Sequence, residues 1–171
     1  MKLADAGEIR GDVIDLGCGT GENAIMFASK GSRVLGIDSA PLAISKARAK
    51  AKERSSTAEF RLANALDLSS LGRRFDVATD CGLFHTFSDS ERVTFAVSLW
   101  KALVPWGRYF MLCFSDHEPS DWGGPRRVSK EEILETFQLR WRVDSIRPAR
   151  FEATQPGERG YAWLSSLTRL P

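Results

Sequence analysis

The stretch DVIDLGCGTG, residues 12–21, decides the fold of this chain. Its first half is a short apolar run, typical of a buried strand, and its second half has glycine at every other position. Glycine lets the backbone turn sharply and approach a ligand closely, because it has no Cβ. Apolar residues at helical spacing follow over 22–30, and Gly31 marks the end of that helix. The stretch therefore predicts a strand, a glycine loop and a helix in direct succession.

Strands and helices alternate along the rest of the chain, which predicts a mostly parallel sheet covered by helices on both faces. The expected strands are 12–16, 33–37, 58–62, 75–79, 108–114, 141–146 with an extension toward 151, and 161–168. The expected helices are 22–30, 41–54, 88–104 and 129–138. Gln155-Pro156-Gly157 separates the last two strands, which we expect to pair antiparallel at one end of the sheet. The predicted fold class is α/β, a Rossmann-like doubly wound sheet of seven strands, mostly parallel with an antiparallel closing strand.

Capping boxes support the starts of the last two helices, because each pairs a serine with a glutamate three residues later. They are Ser88 with Glu91 and Ser129 with Glu132. In the first of these helices one face carries Val93, Val97, Trp100 and Val104. The tryptophans expected in the core are Trp100, Trp141 and Trp163.

Composition and charge exclude several classes of protein. The length of 171 residues predicts a single domain over 1–171, and the 43% hydrophobic and 27% charged content is ordinary for a globular protein. A net charge of +2 with scattered basic residues predicts no nucleic-acid partner. No apolar stretch approaches the roughly 18 residues of a membrane span, and the N-terminus lacks a signal-peptide layout, so we expect no membrane partner.

The three cysteines, Cys18, Cys81 and Cys113, are odd in number and widely spaced. This arrangement fits neither a metal-ligand pattern nor a disulfide framework. Each cysteine sits in or beside an apolar run, so we expect reduced, buried thiols and a cytoplasmic location.

The charge around the glycine loop distinguishes between nucleotide cofactors. Asp38 lies 17 residues past Gly21, at the end of the second expected strand, where a carboxylate can accept hydrogen bonds from ribose hydroxyls. The dinucleotide fingerprint needs glycine at position 22, but Glu22 stands there, and its charge would repel a pyrophosphate. S-adenosylmethionine carries no phosphate and brings an ammonium and a positive sulfur, which tolerate Asp15 and Glu22. The loop therefore favours S-adenosylmethionine over NAD.

From residue 11 to about residue 168 the sequence resembles class I S-adenosylmethionine-dependent methyltransferases. The stretches similar to the four family motifs, in chain order, are 13–21, 35–39, 64–68 and 75–80. Asn64 stands where the family often has aspartate, and its carbonyl can accept the same hydrogen bond from the adenine amino group.

The resemblance implies a set of cofactor-binding residues and no metal. The set is Asp15, Gly17, Cys18, Gly19, Gly21, Asn23, Asp38, Ser39, Asn64, Ala65, Leu66 and Asp80. Two roles are open for Asp80, because its carboxylate can either face the sulfonium end of the cofactor or cap the next turn.

A narrower likeness, over 80–89, 112–116 and 124–129, is to small bacterial methyltransferases. These act on small acceptors such as thiols, quinol-like phenols and heterocyclic toxins, and more distantly halide and tellurite.

Two features depart from the family. Pro105-Trp106-Gly107 replaces the usual Pro-Gly-Gly turn, and only about eleven residues precede the first strand, where relatives carry a few dozen that cap the cofactor. We therefore expect a truncated chain or an unusually open site.

His85 is the candidate catalytic residue, because it follows the fourth strand, beside the expected position of the methyl group. An ordinary histidine can take up a proton at neutral pH, so His85 is expected to act as a base or to orient the acceptor. The alternative is a histidine that only hydrogen-bonds a loop.

Other candidates for the acceptor side are Phe84, Phe87, Asp116, His117, Trp122, Arg126 and Arg127. For these the plainer alternatives are core packing for Phe84 and solvated positions for His117 and the arginine pair.

The leading hypothesis for function is methyl transfer to a small molecule. Two others stay open: a cofactor-binding module that has lost activity with its cap, and an NAD-dependent oxidoreductase, against which Glu22 argues. The sequence specifies neither the methylated atom nor an oligomeric state.

Overall fold

The structure, a computed structural model, describes residues 2–119, 125–151 and 160–171. The strands are β1 (Asp12–Leu16), β2 (Arg33–Asp38), β3 (Glu59–Leu62), β4 (Phe75–Cys81), β5 (Leu103–Phe114), β6 (Trp141–Arg150) and β7 (Tyr161–Arg169). The helices are α1 (Lys2–Asp5), α2 (Glu22–Ser29), α3 (Pro41–Glu53), α4 (Asp89–Ala102) and α5 (Lys130–Thr136), with 3-10 segments at Ala65–Leu71 and Phe84–Thr86.

The seven strands form one sheet in the order β3-β2-β1-β4-β5-β7-β6. The first five are parallel, whereas β7 runs antiparallel to both β5 and β6. The predicted Rossmann-like sheet with its antiparallel closing strand is therefore confirmed.

Alternate residues of the central strands pack on opposite faces, because side-chain direction reverses at each position of a strand. Val13 and Val34 lie in the cluster that includes α2 and α3, whereas Ile14 and Leu35 lie in the cluster that includes α4, α5 and Leu68. All five residues are buried. Helices on both faces explain why these strands are almost continuously apolar.

Both expected capping boxes are present, at Ser88 with Glu91 and at Ser129 with Glu132. The helix that begins after Ser88 ends at Ala102. The strand expected from 108 begins at Leu103, so it includes residue 104, which was expected in the helix.

The prediction of which face of α4 packs into the core is wrong. Val93 and Val97 are 61% and 51% exposed, whereas Phe95 and Leu99 are fully buried. The two valines and the pair Phe95 and Leu99 lie on different faces of the helix. The larger phenylalanine and leucine side chains remove more apolar area from water when they are buried. Trp100 is only half-buried, whereas the other two tryptophans expected in the core, Trp141 and Trp163, are buried.

The cysteines are free thiols, but the expected burial is right only for Cys113. Cys18 is half-buried and Cys81 is exposed, because each follows the end of a strand or lies at it. None of the described helices combines the length and the apolar character that crossing a membrane requires.

The ring of Phe60 fixes the glycine loop against the sheet. A Cβ added at Gly21, where φ is +85°, would lie 2.6 Å from this ring, and one at Gly36 would lie 2.7 Å from it. The ring therefore fills the space that glycine leaves open on both β2 and the loop.

We expect Gly36→Ala to lower the free energy of unfolding by about 1–3 kcal/mol, because the new methyl group overpacks against Phe60. The combination with Phe60→Leu removes the clashing ring atoms, so the double variant loses less stability than the sum of the two single variants. Urea denaturation measures all three, and Ser45→Ala, on the exposed face of α3, is the control. Strictly additive losses of stability would show that the contact between residue 36 and Phe60 does not cause the destabilisation.

Candidate active site

The crevice of this sheet lies between β1 and β4. From β1 the strand order proceeds to β2 and β3 on one side, and from β4 to β5 on the other. Open α/β sheets bind ligands at such a switch point, outside the carboxyl ends of the strands. The glycine loop, Asp38 and Cys81 all lie at these carboxyl ends.

The glycine loop has the backbone geometry that its sequence predicts. Gly17, Gly19 and Gly21 all have positive φ, at 64°, 53° and 85°, which other residues rarely adopt. A Cβ added at Gly19 would meet no atom within 4 Å, so this part of the loop faces open space. The loop can therefore place its backbone directly against a ligand.

Asp38 joins the loop to the start of α3. Its two carboxylate oxygens accept the backbone N–H groups of Gly19 and Ala40, each at 2.9 Å. A carboxylate oxygen has more than one lone pair, so both oxygens keep capacity to accept ribose hydroxyls.

Asp15 is the most unusual group in the crevice. It is 2% exposed, and Thr79 Oγ1 donates to its Oδ1 at 2.9 Å, but Oδ2 has no hydrogen-bond partner among the described residues. Burial raises the pKa of Asp15 to about 7, and the negative charges of Asp80 and Asp38 add to this effect. An unpartnered buried carboxylate is unfavourable, and a cationic group of a ligand would satisfy it. The residues present thus fit a cofactor with an ammonium group and no phosphate.

Asp80 has the turn-capping contacts that were one of its two expected roles. It is buried, and it accepts the backbone N–H groups of Leu83 and Phe84 at 2.6 and 2.9 Å and the hydroxyl of Tyr109 at 3.0 Å. Burial raises the pKa of Asp80 to about 6. A contact of Asp80 with the cofactor stays a prediction.

Sequence reasoning missed Thr79 and Tyr109, the side chains that hold the two buried carboxylates. Thr79 is directly opposite Asp15 in the parallel register of β1 and β4, so a correct strand alignment is the signal for this contact. Tyr109 meets Asp80 across 29 residues, and no local pattern indicates that pair.

The charge of Glu22 does not face the crevice as the sequence argument supposed. Its exposed carboxylate pairs with Lys50 and Arg54 at 2.7 and 2.8 Å, and these partners lower its pKa. The positive side chains of α3 therefore neutralise the carboxylate at the start of α2.

The remaining residues expected to bind cofactor surround the same crevice. Asn23 is half-buried near the Cys81 thiol. Asn64 Oδ1 accepts the backbone N–H of Leu66 at 2.9 Å and so caps the 3-10 segment. Ser39 is exposed, and Ala65 is buried. Asn64 keeps its amide group and a second lone pair for a ligand.

His85 is a neutral imidazole in the structure. It is 5% exposed, and its Nδ1 accepts the backbone N–H of Phe114 at 3.1 Å, which places the proton of the neutral ring on Nε2. Burial, and then the charge of Arg92, lowers the pKa of His85 to about 4. These properties oppose the expected role as a base at neutral pH, and orientation of the acceptor stays a prediction.

Aromatic rings surround the imidazole at the carboxyl ends of β4 and β5. The ring centroids of Phe114 and Phe151 lie 4.8 and 6.0 Å from that of His85. A Cβ added at Gly82 would lie 3.7 Å from Cε1 and 3.9 Å from Nε2 of His85, so this side of the imidazole lies beside the chain just after β4.

Several residues expected on the acceptor side have structural roles instead. Phe84 is fully buried against Phe95 and Phe137, so it is core. His117 is an exposed loop residue, as its alternative proposed, and its ring packs on Trp163. Arg126 pairs with Asp89 and Glu132 rather than standing free in solvent. Trp122 and Gly124 lie outside the described residues.

One cavity of about 460 Å³ lies away from this crevice. It is lined by Leu35, Arg48, Ala51, Ala58, Glu59, Phe60 and Arg61. It contains none of the buried carboxylates or open glycine backbone, so we place the active site at the glycine loop.

These features define a class of protein, a Rossmann-like enzyme domain whose crevice suits a cationic nucleoside without phosphate. The model of the methyltransferase domain family matches residues 13–107. The chain belongs to this family and is a class I S-adenosylmethionine-dependent methyltransferase.

Individual proteins agree with this assignment. A 2-heptyl-1-hydroxyquinolin-4(1H)-one methyltransferase of Mycobacteroides abscessus is 35% identical over 92% of this chain and 70% of its own length. A solved structure on the conversion of a disulfide bond into a thioacetal group during echinomycin biosynthesis has a TM-score of 0.89 and 33% identity, over 99% of this chain and 79% of that one. Magnesium protoporphyrin IX methyltransferase from Synechocystis PCC 6803, solved with bound SAM, shares the fold at a TM-score of 0.74 and 19% identity, over 98% and 74%.

We expect Asp15→Asn to stabilise the ligand-free protein at pH 8 by about 1–3 kcal/mol, and much less at pH 4. The pKa of Asp15 is raised on folding, so its contribution to stability is fully present below the unfolded pKa and is lost as pH rises through about 7. The neutral amide removes this loss. Chemical denaturation from pH 4 to 8 measures the difference, with Glu53→Gln on the exposed side of α3 as control. Parallel pH curves for Asp15→Asn and the unaltered protein would refute the raised pKa.

Proposed function

We propose that this chain, acting as a single domain, methylates an ionised oxygen on a small aromatic or heteroaromatic acceptor. The observation that carries the proposal is His85, a neutral donor among aromatic rings at the mouth of the crevice. The relative from Mycobacteroides abscessus, named for a hydroxyquinolinone, supports an acceptor of this class. The three free thiols support a reducing, cytoplasmic location.

In this proposal the carboxyl ends of β1, β2 and β4 would hold the cofactor. Asp15 would accept its ammonium group, Asp38 would accept the ribose hydroxyls, and Asn64 would bind the adenine. The open backbone at Gly19 permits this close approach. When bound, S-adenosylmethionine supplies a methyl group that its positive sulfur activates for displacement.

On the acceptor side, His85 Nε2–H donates to the negative oxygen and aligns it, while the rings of Phe114 and Phe151 hold the acceptor and exclude water. Positioning of this kind supplies much of the acceleration of a displacement between two bound partners. The acceptor loses its proton to solvent before binding. The acceptor oxygen would then receive the methyl group that the cofactor supplies, with S-adenosylhomocysteine as the leaving group.

We expect Asp38→Asn to weaken the binding of S-adenosylhomocysteine at least about tenfold, because it weakens charge-assisted hydrogen bonds to the ribose. His85→Gln changes this affinity less than twofold, since His85 serves the acceptor. Isothermal titration calorimetry measures both, and Glu53→Gln, an exposed carboxylate on α3 outside all four motif stretches, is the control. Equal losses of affinity in Asp38→Asn and His85→Gln would refute this division of roles.

The donor role of His85 predicts a particular pH dependence. At saturating S-adenosylmethionine, kcat/KM for an acidic N-hydroxy heterocycle stays flat from pH 6 to 9, whereas for a phenol of pKa about 10 it rises with the ionisation of the phenol. His85→Leu lowers kcat/KM about 10- to 100-fold without changing the shape of either profile, and His85→Gln, which keeps a donor, restores part of the rate. An inflection common to both acceptors that disappears in His85→Leu would make His85 a base.

A labelled-methyl assay over N-hydroxy heterocycles, phenols, thiols and heterocyclic amines tests the acceptor class. Preferred methylation of the hydroxylated compounds supports the proposal, and preferred methylation of thiols or amines contradicts it. Tight binding of S-adenosylhomocysteine without turnover on any acceptor would favour the inactive binding module.

A further inference from the structure

Three arginines lie at the edge of the sheet opposite the crevice. Arg74 directly precedes β4, Arg140 directly precedes β6, and Arg169 is the last residue of β7. Because β7 runs antiparallel to β5, its end lies beside the amino ends of the parallel strands. Trp100, near the end of α4, lies at the same edge. This cluster of Arg74, Arg140, Arg169 and Trp100, the arginine cluster, is therefore remote from the active site.

Trp100 holds two of the guanidinium groups by stacking. The guanidinium carbons of Arg169 and Arg140 lie 4.1 and 4.5 Å from the centroid of its ring. The indole N–H donates to the carbonyl of Leu170 at 2.9 Å, and Arg169 Nε donates to the carbonyl of Trp100 at 3.3 Å. The ring and a hydrogen bond thus hold Arg169 in place, and Arg140, which is exposed, stacks on the same ring.

The cluster has no negative partner within residues 2–119, 125–151 and 160–171, where none of its arginines forms an ion pair. Arg169 is only 4% exposed, and buried arginine side chains are almost always paired. Burial, followed by the charges of Arg74 and Arg140, lowers the pKa of Arg169. This concentration of positive charge is unfavourable unless an anion offsets it.

We propose that the arginine cluster binds a phosphate-type anion, either inorganic phosphate or the phosphate group of a small metabolite. Guanidinium groups present several N–H donors in a planar fork, which matches the oxygens of a phosphate. Arg169 uses Nε for the carbonyl of Trp100, and its terminal nitrogens remain for the anion. Fixed guanidinium groups lose little side-chain entropy on binding, which favours affinity.

Thermal unfolding in phosphate tests the site. We expect 20 mM sodium phosphate to raise Tm by about 3–6 °C relative to sodium chloride at equal ionic strength, with saturation in the millimolar range. Arg140→Gln and Arg74→Gln, both at exposed positions, each remove most of the rise, whereas the matched control Arg147→Gln, exposed on β6, keeps it. A rise that does not saturate, or that is equal in all variants, would be a general salt effect and would overturn the proposal.

Fluorescence locates the anion independently of stability. Phosphate changes the emission of Trp100, and Trp100→Phe removes this change while the other four tryptophans remain. Binding of S-adenosylhomocysteine is the same in Arg140→Gln and in the unaltered protein, so failure here is distinct from failure of the proposed methyl transfer.

Two further probes identify the source of the phosphate group. Glucose 6-phosphate that matches or exceeds inorganic phosphate in the Tm rise indicates a phosphorylated metabolite, and a response to inorganic phosphate alone indicates the free ion. Binding of a single-stranded oligonucleotide without any response to either small anion would contradict the proposal.

Discussion

The unpartnered Oδ2 of Asp15 is the point on which the site depends. Parallel strands end at one edge of the sheet, so β1, β2 and β4 bring Asp15, Asp38 and Asp80 together there. Burial raises the pKa of Asp15 to about 7, and repulsion by Asp80 and Asp38 adds to the rise. Thr79, Tyr109 and backbone N–H groups satisfy most of the carboxylate oxygens, and Asp15 Oδ2 has no partner among the described residues. A cationic group of the cofactor would offset this negative charge.

Much of the fold could be predicted from the sequence, because its signals are local. The glycine loop requires positive φ, the two capping boxes begin their helices, and apolar runs give the parallel strands. The boundary between α4 and β5 was misplaced because residues 103 and 104 are apolar and fit either element. The packed face of α4 was misassigned because both faces carry apolar residues, and the face with Phe95 and Leu99 is the buried one.

The candidate site was harder to predict, because its electrostatics depend on pairs distant in sequence. Glu22 meets Lys50 and Arg54 only after α2 and α3 pack side by side. The pKa of His85 depends on burial and on Arg92, neither of which a motif reveals. The motif suggested a base or a group that orients the acceptor, and the lowered pKa opposes the first role while the second stays a prediction. Kinship with methyltransferases identifies the cofactor.

Phe60 connects the glycine loop to the edge of the sheet. It lies on β3, a four-residue edge strand, and short edge strands are among the parts of a domain that open readily. When β3 separates, the ring leaves Gly21 and Gly36, and the loop loses the packing that shapes it. Apparent affinity falls with the fraction of molecules in which the binding conformation is present. We therefore expect opening of β3 to limit how tightly the enzyme holds its cofactor, and a bound cofactor to slow amide hydrogen exchange along β3.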